Sequence, residues 1–233
     1  MGEDRPPLNR DEFEIMLRTT ERSYWDKHPF HQRMDAGELD PGDLRAWVAN
    51  RWYYQRMLPQ KDAAIVANCP LPEIRRQWLP RISYHDGTSD GNGGCARWLL
   101  LAEAVGLSRK EVTDERHVLA GVRFAVDSYV TFARTHPWVE GVASSLTELF
   151  APEAMATRVA AFRRYYPWIN RDALGYFDAR IPQAREECAD ALEIVLAHCA
   201  SRRSQDAAVR ALEFKTDVLW SMLDTIEHSR RSL

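Results

Sequence analysis

The chain has 233 residues, 45% of them apolar and 28% charged, with a formal net charge of −3. That length holds one sizeable core or two small ones, and a near-neutral, slightly acidic balance speaks against a nucleic-acid partner. Cys69, Cys95, Cys188 and Cys199 form no C-x-x-C pair, which predicts reduced thiols in a cytoplasmic protein. The N-terminal MGEDRPPLNRDEFE is polar and lacks the apolar core of a signal peptide, and no apolar run has the length of a membrane span.

Residues 1–8 read as a flexible N-terminal arm, and 9–233 as one domain. Asn9 predicts a helix start, with Glu12 as its capping-box partner. Phe13, Leu17, Thr20 and Tyr24 follow one stripe of a helix that runs to about Lys27, before HPFH and a turn at Gly37. Asp40, Pro41 and Asp43 are cap, first-turn proline and first-turn acid of the next helix, which Pro59 is expected to bend or break. Within residues 47–62, Arg51, Tyr54, Gln55 and Leu58 share one face. A cation, a phenol and an amide set among tryptophans suggest one wall of a polar pocket; on this helix alone, a surface face with snorkelling side chains fits equally.

Residues 61–67 continue helically to Asn68-Cys69-Pro70. Pro72 opens the next helix, kinked at Pro80, with Arg81 and His85 four apart in its last turn and Asp86-Gly87 as its stop. TSDGNGG is a loop. Helices are then expected over 95–106, over a short turn capped by Ser108, from His117 to about Thr135, from Pro137 to near Phe150, and from Pro152 toward Tyr166. A long helix at 171–199 contains Pro182, and a last one spans about 204–228. There is no alternating strand pattern, so the fold class is all-α, a single-domain helical bundle.

Some residues break their local pattern. Lys215 interrupts the apolar stripe Ala208, Ala211, Leu212, Val218, Leu219, Met222 and Ile226. A lysine there snorkels, pairs or stays poorly solvated, so a structural and a functional role are both open. Tyr176, Arg180 and Gln183 form an edge beside the kink at Pro182; an ordinary surface Tyr–Arg pair gives the same pattern. His85 titrates near neutrality and suits proton transfer, although a histidine favoured by the helix dipole would look the same. No Glu-x-x-His pair, H-E-x-x-H, Walker loop or G-x-S-x-G is present. The unusual residues are Arg, Lys, Tyr and His, a set suited to a substrate bearing several carboxylates.

The blocks WVANRWYYQ, KDAAIVANCP, RISYHDG, ERHVLAGVRFAVDSYV, SSLTELFAP, YYPWI and LEFKTDVLWSMLD, in this order from about Phe13 to Asp224, resemble the pyrroloquinoline-quinone synthase family. The resemblance implies a haem-oxygenase-like helical bundle, a homodimer, and an oxidase that uses neither metal nor organic cofactor. The implied reaction is the last step of pyrroloquinoline quinone biosynthesis. In it the quinone precursor undergoes ring closure and an eight-electron oxidation, with dioxygen as acceptor and hydrogen peroxide as product. It also implies a pocket built from Tyr24, Arg51, Tyr54, Gln55, Lys61, Arg81, Tyr129, Glu148 and Arg158 as substrate-binding residues. His85 is implied as general acid/base, with Tyr176, Arg180 and Lys215 beside the oxygen. Trp25 and Met155 stand where the family usually has His, and the chain ends soon after His228, short of the tail many members carry. Rival expectations are a non-catalytic binder of the quinone or another enzyme of the fold, thiaminase-II-like or di-iron.

Overall fold

A computed structural model describes residues 5–231. Eleven α-helices are found among them, and no strand: α1 Arg10–Arg18, α2 Pro29–Ala36, α3 Pro41–Asn68, α4 Pro72–Asp86, α5 Gly94–Ala104, α6 Arg109–Thr113, α7 Ala120–Thr135, α8 Trp138–Ser144, α9 Ala151–Tyr165, α10 Gly175–His198 and α11 Arg202–Arg231. The helix starts follow the local chemistry. Asn9, Asp40 and Ser108 each form a full capping box with the acid three residues on, satisfying donors that a helix start leaves open.

The helix expected to run to Lys27 instead ends at Arg18 and gives way to two short 3₁₀ turns, Thr19–Ser23 and Trp25–Lys27. A further helix, α2, occupies the stretch read as HPFH and a turn. Pro29 sits in its first turn, and its N-cap is His28, whose Nδ1 accepts from the Phe30 N–H. Histidine is not among the usual N-cap residues, which hid this start. Gly37 ends α2 at φ +79°, and a Cβ there would lie 2.4–2.8 Å from the Tyr165 side chain. Gly37→Ala is therefore expected to cost about 1–3 kcal/mol, read as a lowered thermal midpoint.

Pro59 does not break α3, which continues to Asn68. A proline in a helix frees the carbonyl four residues earlier. Here that is Gln55 O, and the Cys95 thiol of α5 points at it from 3.8 Å. Pro80 and Pro182 also lie inside continuous helices; the carbonyls they free belong to Arg76 and Asp178, exposed residues that water can satisfy.

α3 is the centre of the bundle. It packs on α4, α5, α7 and α8, while α11 covers α7 and α8, and α10 covers α8, α9 and the 3₁₀ turn Ser145–Leu149. The apolar core forms two clusters, one around Trp47, Trp98, Tyr129 and Phe177, the other around Phe13, Trp78, Leu146, Val195 and Leu212. Lys61 lies against both, 5.6 Å from the Trp78 ring centre and 5.7 Å from that of Tyr129. Of the arm at 1–8, residues 1–4 lie outside the described residues; Leu8 exchanges two backbone hydrogen bonds with the Gln205 side chain of α11.

Candidate active site

The face predicted on α3 does line a cavity: Arg51, Tyr54, Gln55 and Leu58 share it with Tyr24, Trp25, Thr147, Glu148, Ala151, Ala154, Met155, Arg158, Tyr176, Arg180 and Leu219. Eight of the thirteen predicted site residues are on its wall. The other five, Lys61, Arg81, His85, Tyr129 and Lys215, are not on that wall but connect to it through buried contacts. Tyr54 is one link, since Lys215 Nζ donates to its hydroxyl at 2.9 Å. Glu148 is another, accepting from Arg81 at 2.7 Å. A larger open groove of about 880 Å³ beside Arg45, Asn50 and His117 holds none of the thirteen.

The cations divide into two kinds. Arg81 and Arg180 are neutralised. Glu148 binds Arg180 at 2.6 Å, and Glu187 lies 2.7 Å from Arg180 Nη1 in ion-pair contact without hydrogen-bond alignment. Arg81 also donates to the Glu187 backbone carbonyl at 2.6 Å. Burial works to raise the Glu148 pKa, but Arg81, Arg180 and Lys61 outweigh it and hold it at about 2. Burial and the charge of Glu148 raise that of Glu187. Glu148 is thus the firmly ionised member, and Glu187 is the one that accepts a proton first. Lys61 is held by Asp62 and by Ser145 Oγ at 3.0 Å. Burial pulls its pKa down, but Asp62 more than offsets this.

Arg51 and Arg158 are different. Neither has a carboxylate within ion-pair distance among the described residues. Arg51 is only 6% exposed, and its Nε and Nη1 find no hydrogen-bond partner. It is instead caged by rings, with Trp25, Trp98, Tyr54 and Trp47 centred 4.4, 5.3, 5.5 and 5.9 Å from its guanidinium carbon. Arg158, 1% exposed, leaves Nε without a partner. Its pKa is lowered to about 10 by burial and by Arg51.

Lys215 does not snorkel. It is 1% exposed, with Nζ over the Tyr129 and Tyr54 rings at 3.6 and 4.2 Å. Those ring faces favour its charged form. Burial, then the charges of Lys61 and Arg51, nevertheless lower its pKa well below the usual lysine range, because complete desolvation outweighs two quadrupoles. His85, in the last turn of α4, is buried rather than solvent-facing. Burial and Arg180 push its pKa well down, so it rests neutral. Its Nδ1 lacks a partner. Gln55 donates to the Tyr176 hydroxyl; burial raises Tyr24 to about 12 and Tyr54 well above its ordinary value, so both remain phenols.

Trp25 and Met155, the positions noted for lacking an imidazole, both line the cavity. The residues sequence reasoning missed are Glu187 and Asp62, the counter-charges behind the wall. Asp62 follows Lys61 directly, and Glu187 lies i+7 from Arg180 on the inner face of α10. Both spacings were readable. No group of three or more His, Cys, Asp or Glu able to hold a metal is found among the described residues, nor is a helix long and apolar enough to cross a membrane. The cavity volume is about 50 Å³, room for a few waters at the ~10–15 Å³ each requires.

Comparison with known proteins gives the family and the fold. The sequence profile described as the TENA/THI-4/PQQC family matches residues 15–225. A pyrroloquinoline-quinone synthase of Rhizobium rhizogenes is 51% identical over 222 residues, covering 95% of this chain and 90% of that protein. One from Pseudomonas aeruginosa is 50% identical, covering 95% and 89%. Among solved structures, a protein from Shewanella denitrificans described as having a heme oxygenase-like fold superposes with a TM-score of 0.78 at 13% identity, over 96% of this chain and 94% of that one. A TenA homolog from Pseudomonas syringae gives 0.76 at 13%, over 98% and 96%. These distant neighbours establish the haem-oxygenase-like fold; the close relatives establish the family. The chain belongs to the TENA/THI-4/PQQC family and, within it, to the pyrroloquinoline-quinone synthases.

Proposed function

We propose that this chain is a cofactorless oxidase that completes pyrroloquinoline quinone, closing a ring in a precursor with several carboxylates and removing eight electrons, with dioxygen as acceptor and hydrogen peroxide as product. The observation that carries the reading is the pair Arg51 and Arg158. Two buried guanidiniums on one cavity wall have no carboxylate within ion-pair distance among the described residues, and such charges are costly until an anion arrives. A polycarboxylate supplies that charge in bidentate form. Lys61 and Arg81 act from behind Glu148, while Tyr24, Tyr54 and Gln55 on the wall orient the ring and Tyr129 supports them from behind it.

Neutral His85 is a base ready to take a ring proton. The electron-rich ring itself passes electrons to dioxygen. Tyr176, Arg180 and Lys215 sit where negative charge develops on the oxygen, and stabilising charge that appears only during reaction lowers the barrier. At about 50 Å³ the cavity must widen to admit a ring system. The protein acts as a cytoplasmic homodimer in this reading.

Anaerobic mixing with precursor followed by a pulse of oxygen tests the proposal. Product should form only after oxygen, at the same rate with or without a chelator. Activity that chelation removes and iron restores would sink the metal-free mechanism. Trp25 and Met155, where an imidazole is expected, favour one rival, a non-catalytic quinone carrier. Binding without oxygen consumption would establish it. A second test targets the clamp. Arg51→Lys keeps the charge but loses the fork, so product binding is expected to weaken by about tenfold or more, measured by titration. Unchanged affinity removes Arg51 from the clamp.

A further inference from the structure

His31 was not among the predicted residues and does not line the cavity, yet it is in contact with two residues that do. It is fully buried on α2. Its ring meets the Trp25 ring edge-on, with centres 4.8 Å apart, and its Nδ1 lies 3.2 Å from Arg158 Nη2. The Trp25 carbonyl is 3.0 Å from the same nitrogen and also accepts from the His28 N–H. His31 Nε2 has no partner. Burial and the adjacent Arg158 and Arg51 lower the pKa of this imidazole well below its ordinary value, so the ring is neutral. A neutral imidazole offers one donor and one acceptor. Placing the proton at Nδ1 would serve the Trp25 carbonyl a second time but set N–H against N–H at 3.2 Å; placing the acceptor there faces that carbonyl, which the His28 N–H already serves, and gives the guanidinium the stronger, charge-assisted hydrogen bond.

The consequence is electrostatic. Asp35 and Asp26 act on Arg158 only at longer range, and the group that touches it carries no charge. A carboxylate in that place would hold the guanidinium equally well but cancel its charge. We propose that His31 is a positioning residue, a neutral acceptor that aims Arg158 at the cavity while leaving its positive charge free for a ligand carboxylate. This rests on the polycarboxylate reading of the site and adds the residue that keeps one half of the clamp uncompensated.

The test uses binding of two probes, pyrroloquinoline quinone and the simpler aromatic anion benzene-1,3,5-tricarboxylate, to purified full-length variants. His31→Gln retains a neutral acceptor and should bind within about threefold of the parent. His31→Leu removes the acceptor and should lose about tenfold. His31→Glu keeps an acceptor but neutralises Arg158, and should lose about a hundredfold. In an Arg158→Met background, His31→Leu should cause no further loss, whereas a merely structural histidine would add its own. Thermal melts check folding, and Gln against Glu decides the matter even if Leu fails to fold. His31→Glu binding as tightly as the parent, or additive losses with Arg158→Met, overturns the inference. A parent that binds the tricarboxylate but not the quinone removes the functional reading and leaves His31 tested by the simpler probe. A parent that binds neither overturns both.

Discussion

Lys215→Met is expected to yield a protein that is more stable than the parent and that has lost most of its oxygen-dependent turnover. The stability half follows from desolvation. Lys215 is 1% exposed, and its ammonium meets a phenol hydroxyl and two ring faces. Methionine has nearly the same shape and no charge to bury. Replacing it should raise stability by about 1–3 kcal/mol at neutral pH. The pH dependence has a definite sign. The folded-state pKa is depressed, so between that value and the unfolded value the unfolded chain binds more protons than the native one. Parent stability therefore rises with pH across that window. The advantage of Lys215→Met should be largest below the folded pKa and shrink as pH approaches about 10.4.

The activity half follows from the same burial. A lysine that is reluctant to be charged at rest becomes a cation when negative charge arrives beside it. A reducing dioxygen brings that charge, and removing one such contact costs on the order of a hundredfold or more in rate. Stopped-flow spectra at several oxygen concentrations, with melts from pH 6 to 10, read both halves. A variant with parental oxygen kinetics, or one that is less stable at every pH, assigns Lys215 to structure.

Which parts of this were legible in the sequence has a physical basis. Period-3.6 apolar stripes and capping residues mark helices wherever they are sequence-local, so α1, α3, α6 and the stripe of α11 are readable. α2 is not, because its cap is a histidine whose role depends on where Nδ1 points. The continuity of α3 through Pro59 is not readable either, since the thiol facing the freed carbonyl comes from Cys95, forty residues away. Arg51, Tyr54 and Gln55 were visible as a face because one helix carries them. Tyr24, Glu148 and Arg158 were placed by resemblance alone, being contributed by separate segments. The division of the arginines into neutralised and free was only half visible: Glu187 stands seven residues from Arg180 on α10, but Glu148 binds Arg81 and Arg180 from a separate segment.

That division makes Glu187 the other position with a large expected effect. Glu187 is 8% exposed and contacts Arg180 at 2.7 Å and Arg81 at 3.6 Å. Two buried guanidiniums share two carboxylates there. Glu187→Leu leaves Arg81 and Arg180 with Glu148 alone, and breaking a buried pair by removing one partner costs about 3–5 kcal/mol. Its raised folded pKa gives the pH signature. The native state holds the Glu187 proton longer than the unfolded chain does, so this group's contribution is fully present below about pH 4.3 and declines as pH rises through the folded value. Glu148 runs the opposite way: its contribution is present above about pH 4.3 and is lost as pH falls to about 2. Glu187→Gln, which mimics the protonated acid, should therefore be far less destabilising than Leu, match the parent near pH 4 and be at least as stable as it at pH 7. At pH 7 the same variant leaves Arg180 less compensated on the cavity wall, so product affinity should rise severalfold without a loss of thermal stability. Denaturation midpoints at pH 4 and 7, with product titrations at pH 7, separate these effects. A Leu variant with parental stability would mean that Glu148 alone neutralises both arginines, and a Gln variant with weakened product binding would mean that Glu187 holds Arg180 in place rather than offsetting its charge.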